Sequence, residues 1–335
     1  MAKGCKGTFF HPYEPNSGFW IMSENGCDHG GRLDAAIAIY GGTRTDWLDL
    51  STGINPYPYP VPKLFRQDWN SLPDQEASIA LCTAARTFWN IPEQADILAV
   101  PGCSAAIAQI PSLVPSGTAK IERCTYSEHA AAFRYHGWST THAARSHPDA
   151  QVIVHPNNPT GEFYKQPKPA SLTIIDESFC DTTPGQSHIE SAALSNHIIL
   201  KSFGKFWGLA GLRLGFAVGD PNLIESLRQA IGPWPVSGMA LRIGTKALQD
   251  ISWAAETRTR LFADAERLDD LIDPDGTRGM GACPLFRTYK VEDAREMQNR
   301  LANFHIWSRV FSYNPNWIRL GMPPLSGWDK LEAAI

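Results

Sequence analysis

One lysine, Lys205, stands in the segment Ser202 to Arg213, SFGKFWGLAGLR, three residues after Ser202 and eight before Arg213. Its apolar neighbours Phe203, Phe206 and Trp207 would strip water from the amine, and desolvation favours the neutral, nucleophilic form. A neutral amine condenses with an aldehyde to a Schiff base. Ser202 offers a short hydroxyl donor and Arg213 a planar charged fork, a pair suited to a phosphate. An aldehyde-reactive amine beside a phosphate cradle points to pyridoxal 5'-phosphate.

Other chemistry-bearing residues sit where apolar runs end. Asp176 closes LTIID and delivers a carboxylate into the interior, where a protonated pyridine nitrogen would be its partner and would make the ring an electron sink. Asn158, in HPNNPTG, is placed to donate to the phenolic oxygen of that ring, although NPTG alone is ordinary turn chemistry. Tyr126, after AKIERC, is placed to stack on the ring face. Gly102, Cys103 and Ser104 open a helix directly after DILAV, where backbone N–H groups meet a phosphate with a favourable dipole. For Cys103 the small-residue reading outweighs thiol chemistry.

The elements that must position these residues follow from the pattern of apolar runs. DILAV, AKIERC, QVIVH, LTIID, HIILKS and LRLGFAVG read as strands alternating with helical patterns. That alternation implies an α/β fold with a mostly parallel central sheet and helices on both faces. A helical pattern from Met239 to Leu271, RTYKV, a helix around Glu292 to Phe304, IWSRV and WIRLGM form a smaller α+β unit. A chain of 335 residues exceeds the usual size of one compact core, and the expected division is residues 1–50 as an N-terminal segment packing with the small domain, 51–235 as the large cofactor domain and 236–335 as the small domain. The four prolines of Pro56 to Pro62 form an extended linker.

A hydrophobic content of 43% with a net charge of -4 describes an ordinary globular protein without the basic stripe a nucleic-acid partner needs. Seven cysteines with no CxxC pair do not make a disulfide framework, which suits a reducing cytoplasm. No run approaches the roughly 18 apolar residues of a membrane span, and MAKGCKGTFFHP has no leader-like apolar core, so the chain is expected to be soluble and cytoplasmic. No metal is expected: the histidines include no HExxH, and His129 and His136 are too far apart along a helix for a simple pair and read as core or solvated side chains. GLAGLRLG lacks GxGxxG spacing and Gly204–Lys205 lacks the rest of a P-loop, which excludes nucleotide binding.

Together HPNNPTG, IIDESF and SFGKFWGLAGLRLGF resemble, in order and spacing, the fold-type I pyridoxal phosphate enzymes of the aspartate aminotransferase superfamily. The resemblance implies that Lys205 carries the cofactor Schiff base, Asp176 pairs with the pyridine nitrogen, Asn158 binds the phenolic oxygen, and Ser202 and Arg213 bind the phosphate. It also implies a homodimer with the active site near the subunit boundary. The nearest branch is that of the histidinol-phosphate aminotransferases. HGGRLDAA, LDLSTGINP and GPWPVSGMA more narrowly resemble the threonine-phosphate decarboxylases of cobalamin biosynthesis. That likeness implies a phosphorylated amino acid substrate, O-phospho-L-threonine, approached by His29, Gly30 and Gly53, contacted by Asn158, and gripped by Arg309 and Arg319. The alternative is a histidinol-phosphate type aminotransferase.

Three departures bear on that choice. Phe179 stands where aminotransferases of the branch commonly have tyrosine, which leans towards decarboxylation. Leu72–Pro73–Asp74 replaces a YPD whose tyrosine reaches the neighbouring subunit's phosphate. Gly53 leaves only backbone donors for the substrate carboxylate.

Overall fold

The computed structural model describes residues 30–143, 148–165 and 170–335. Along the chain come α1 (Leu33–Tyr40), β1 (Leu48–Asp49), a proline-rich stretch, α2 (Gln67–Asn70) and α3 (Gln75–Trp89). The next stretch holds β2 (Asp96–Val100), α4 (Cys103–Gln109), β3 (Thr118–Ile121), α5 (Ser127–Tyr135), β4 (Ser139–Thr141), β5 (Ala150–Val154), β6 (Leu172–Asp176), β7 (His197–Ser202) and β8 (Gly215–Gly219).

These seven strands form one sheet in the order β2-β8-β7-β6-β5-β3-β4. Only β8 runs against its neighbours; the other pairings are parallel. The mostly parallel α/β sheet expected from the sequence is therefore present. Alternate residues of its central strands face two separate cores. Ile175 and Ile199 pack into one, while Ile174, Ile198 and Leu200 pack into the other. A sheet buried on both faces accounts for the continuous apolar runs of β6 and β7.

The remaining elements are α6 (Pro221–Ile231), α7 (Gly238–Gln249), α8 (Ile251–Ile272), β9 (Gly279–Met280), β10 (Phe286–Lys290), α9 (Ala294–Asn303), β11 (Ile306–Trp307), β12 (Arg309–Phe311), β13 (Asn314–Gly321) and α10 (Trp328–Glu332). The expected single helix from Met239 to Leu271 is two. Asp250 interrupts it, its carboxylate accepting from the Trp253 N–H as the N-cap of α8, an arrangement that satisfies an otherwise orphaned helix donor. A four-stranded antiparallel sheet, β12-β13-β10-β9, stands apart from the seven-stranded one.

The N-terminal strand joins the C-terminal part of the chain. β1 pairs in parallel with β11, Leu48 opposite Ile306, and the Gly321 N–H donates to the Leu50 carbonyl at 2.7 Å. α1 is docked there by an aromatic cluster of Tyr40, Trp47 and Trp307. Among the described residues no helix is long and apolar enough to cross a membrane.

Candidate active site

Strand ends bring the candidate residues together. β6 ends on Asp176 and β7 on Ser202, the loop after β7 carries Lys205, and Arg213 precedes β8. At the carboxyl ends of parallel strands the chain must turn, and the crevice there is where such folds hold ligands. A cavity of about 130 Å3 is lined by Gly102, Cys103, Ser104, Tyr126, Asn158, Asp176, Ser202, Lys205 and Arg213. Lys205, Tyr126, Asn158 and Phe179 also line an adjoining cavity of about 390 Å3, with Gly30, Gly53, Arg309 and Arg319. The His29 expectation lies outside the described residues.

Burial and charge set the state of each group. The Lys205 amine is pulled down to about 8, chiefly by desolvation and further by the positive charge of Arg319. The ring under its Nζ is that of Phe179, 5.5 Å away. Phe203, Phe206 and Trp207, expected to surround the amine, instead pack with Tyr59, Phe88 and Trp253 into an aromatic core. They support the loop from below.

Asp176 is almost wholly buried. Burial alone would raise its carboxyl, but His129 and Ser178 bring it below the ordinary aspartate value. His129 Nε2 lies 2.9 Å from Asp176 Oδ2, and Ser178 donates to Oδ1 through both Oγ, at 2.5 Å, and its backbone N–H, at 3.0 Å. A carboxylate held charged inside an apolar core suits a cationic ring nitrogen as its further partner. His129, read from the sequence as a core or solvated side chain, is buried and belongs to the site through Asp176. Its one available signal is its place three residues after Tyr126, on the first turn of α5.

Cys103 donates from Sγ to the Lys201 carbonyl at 3.1 Å, and burial pushes its thiol up to about 12, which suits a packing role. A Cβ at Gly102 would come within 2.5 Å of Arg213 Nη2, and the backbone there has φ +78°, which side-chain-bearing residues rarely adopt, so glycine suits the turn that brings the guanidinium beside the start of α4. Tyr126 is also raised to about 12, first by burial, and shares a hydrogen bond with Ser104. The donor set of Ser202, Arg213 and the Gly102–Ser104 backbone, lining one cavity with Asp176 and Lys205, fits a phosphorylated pyridine aldehyde.

Arg319 closes the larger cavity. Its Nη1 donates to Asn158 Oδ1 and its Nη2 to the Ser51 carbonyl at 2.8 Å. Its Nε is buried without a partner, and its guanidinium carbon lies over the Phe286 ring, 5.0 Å from the centroid. Desolvation, then Arg309, lowers the guanidinium to about 10. An unmet buried donor on a cation is a place for an anion. Phe286 also meets Phe179 edge-on at 5.0 Å. A Cβ on Gly53 would approach Phe286 to 2.8 Å and Phe179 to 2.9 Å. Gly53 is thus required by the aromatic floor, a reason not visible from the sequence.

The family model for aminotransferase class I and II matches residues 45–333. The chain is 35% identical to a threonine-phosphate decarboxylase of Pseudomonas aeruginosa over 92% of its own length and 97% of that protein's. It is likewise 35% identical to a threonine-phosphate decarboxylase of a Sinorhizobium species, covering 90% of this chain and 95% of that one. Among solved structures, the histidinol-phosphate aminotransferase of Sinorhizobium meliloti in complex with pyridoxal-5'-phosphate superimposes with a TM-score of 0.77 at 17% identity, covering 98% and 97% of the two chains. With the strand-end lysine, the buried aspartate and the flanking arginines set in that fold, this chain belongs to the aminotransferase class I and II family.

Proposed function

We propose that this chain is a pyridoxal 5'-phosphate enzyme that decarboxylates O-phospho-L-threonine to 1-amino-2-propanol phosphate, a step of cobalamin biosynthesis. The observation that carries the reading is the pair of guanidiniums on adjacent strands, Arg309 and Arg319, facing the cavity that holds Lys205. It is supported by 35% identity to two threonine-phosphate decarboxylases over nine-tenths of the chain. A substrate with both a carboxylate and a phosphate calls for two such forks.

When bound, pyridoxal 5'-phosphate supplies the electron sink that stabilises negative charge at the substrate Cα. Ser202, Arg213 and the Gly102–Ser104 backbone would hold its phosphate, Asp176 its ring nitrogen and Asn158 its phenolic oxygen, with Tyr126 against the ring. His129 and Ser178 keep Asp176 ionised for that task. Arg319 grips the substrate carboxylate and sets its direction, which decides which bond to Cα breaks. Arg309 receives the second anionic group. Phe179 and Phe286 keep water from the reacting carbon. Lys205, whose amine sits at about 8 and therefore still carries a proton at neutral pH, gives that proton to Cα in place of the departing carboxylate and is left as the neutral amine.

We read the active form as a cytoplasmic homodimer. Val61, Phe65, Trp69, Leu72 and Ile79 stand exposed in one stretch, Leu72 by 68% and Trp69 by 66%, an apolar surface of the kind that protein interfaces cover.

Release of CO2 from O-phospho-L-threonine by the loaded protein, without any keto acid, is the expected result. Amino transfer from histidinol phosphate to 2-oxoglutarate with no CO2 would replace this reading with an aminotransferase.

A further inference from the structure

The loop that carries Lys205 has neither helix nor strand of its own from Gly204 to Leu209. Within the loop the Gly208 N–H donates to the Lys205 carbonyl at 3.1 Å, and the further partners its carbonyls need come from outside it. Those partners come from the proline-rich stretch, which lies across the loop. Asn55 is 2% exposed, and its backbone N–H, its side-chain Nδ2 and its Oδ1 are all engaged. Its N–H donates to the Lys205 carbonyl at 3.0 Å, and its Nδ2 donates to the Phe206 carbonyl at 2.9 Å. Its Oδ1 accepts from the Tyr57 N–H at 3.0 Å and from Arg260 Nη2 at 2.8 Å.

Arg260 reaches in from α8, tied by Nη1 to Asp264 at 3.1 Å and lying over the Tyr57 ring at 4.4 Å. The contact continues downstream, where the Tyr59 N–H donates to the Trp207 carbonyl at 2.9 Å. Gly208, at φ +68°, lets Pro58 approach to where a Cβ would sit 2.6 Å from the Pro58 Cα.

We propose that Asn55 and Arg260 are positioning residues for Lys205, a clamp in which Arg260 orients the Asn55 side chain, whose Nδ2 holds the Phe206 carbonyl while the backbone N–H of Asn55 holds the Lys205 carbonyl. The inference rests on the reading of Lys205 as the reacting amine. Because Asn55 holds the Lys205 carbonyl through its backbone N–H and the Phe206 carbonyl through its side chain, losing the side-chain contact frees the Lys205–Phe206 peptide to tilt, which swings the Lys205 Cα–Cβ bond and moves Nζ at the end of a long side chain. A displacement of about 1 Å at a reacting atom costs on the order of a hundredfold in rate. The groups that set the amine's charge state come from other elements: Asp176 on β6, Arg319 on β13, Arg213 before β8 and Cys103 on α4. Loosening the clamp changes the amine's distance from all of them and admits water.

The test compares cofactor-loaded, full-length wild type with Asn55→Ala and Arg260→Gln, well below their melting temperatures. Amide exchange at Gly208 should rise about tenfold against the amides of α9 as internal reference. The pH midpoint of the cofactor's visible absorption should move upward by about half a unit or more, since hydration relieves the penalty on the charged form. The turnover rate should fall about tenfold with KM changed less than about twofold. A lower melting temperature with Gly208 exchange, absorption midpoint and turnover all as in wild type would overturn the clamp. Should Asn55→Ala not fold, Arg260→Gln decides alone, and unchanged exchange and absorption in it overturn the proposal. If exchange and absorption change as expected while wild type releases no CO2, the clamp stands and the decarboxylase reading falls.

Discussion

Arg309 and Arg319 are direct cross-strand partners on β12 and β13, and the positive charge of the first depresses the protonation of the second. Like charges set opposite each other in a ladder repel, so an anion bound between them relieves a cost already present in the fold. Inorganic phosphate or a phosphorylated amino acid should therefore raise the melting temperature, and more so in wild type than in Arg309→Gln. Arg319→Ala should lower kcat/KM by about a hundredfold or more, since removing one partner of a buried charge contact costs roughly 2–5 kcal/mol. Thermal shift with and without ligand, together with steady-state kinetics, checks both.

The pH dependence of Lys205 has a definite sign. Its amine sits at about 8 because burial and Arg319 both disfavour the ammonium. The reactive neutral form therefore grows as pH rises through about 8, and cofactor uptake by the bare chain should rise with it. Arg319→Gln removes a positive neighbour and should move the midpoint upward, towards the ordinary lysine value of about 10.4. A downward shift on stopped-flow titration would contradict the assignment.

His129 holds Asp176 ionised against burial. A group whose folded-state value is depressed contributes stability present above its unfolded value and lost as pH falls. His129→Asn removes the support, so the Asp176 carboxyl rises and the acid limb of the pH–rate profile should move to higher pH. Wild type and variant should converge on the alkaline side. Rate profiles from pH 4 to 9 measure this.

Gly53→Ala drives a methyl into Phe286 and Phe179. Overpacking of this kind costs about 1–3 kcal/mol, and here it also displaces the ring beneath Arg319. Pairing it with Phe286→Leu should recover part of the stability. A double-mutant cycle by urea unfolding reads the coupling directly.

Lys201, Glu177 and Asp181 form a buried charge cluster beside the site. Lys201 Nζ pairs with Glu177 and lies 3.7 Å from Asp181. Asp181 also accepts from the indoles of Trp89 at 2.8 Å and Trp207 at 3.2 Å. Lys201→Met leaves two buried carboxylates without their cation and should cost about 3–5 kcal/mol. Adding Glu177→Gln should restore a measurable share of it in denaturant unfolding.

What could be seen in the sequence was whatever rests on local pattern. β6 and β7 announce themselves because both their faces are buried, which makes their central positions apolar, and Asp176 and Lys205 stand out as charges at or just beyond the ends of such runs. Three things needed the fold. β4 is three polar residues, Ser139 to Thr141, with no apolar run to mark it. The break at Asp250 carries no proline or glycine, and helical periodicity continues through it. The partners of the site, His129 for Asp176, Phe286 for Arg319 and Asn55 for Lys205, lie 47, 33 and 150 residues away in sequence, a separation no window of periodicity spans. The aromatic residues next to Lys205 in sequence drew attention from Phe179, which lies beneath its amine.

The hydrogen bond from Arg319 to the Ser51 carbonyl joins residues 268 apart, and β1 completes its ladder only with β11. During synthesis the N-terminal wall of the pocket is made first and waits for nearly the whole chain. Lys205 and Asp176 emerge with the seven-stranded sheet, but the anion grip arrives with one of the last strands. A chain that ends before residue 319 thus carries the strands of the seven-stranded sheet but not the Arg319 guanidinium, so the anion grip is completed only when the last strand of the second sheet has been made.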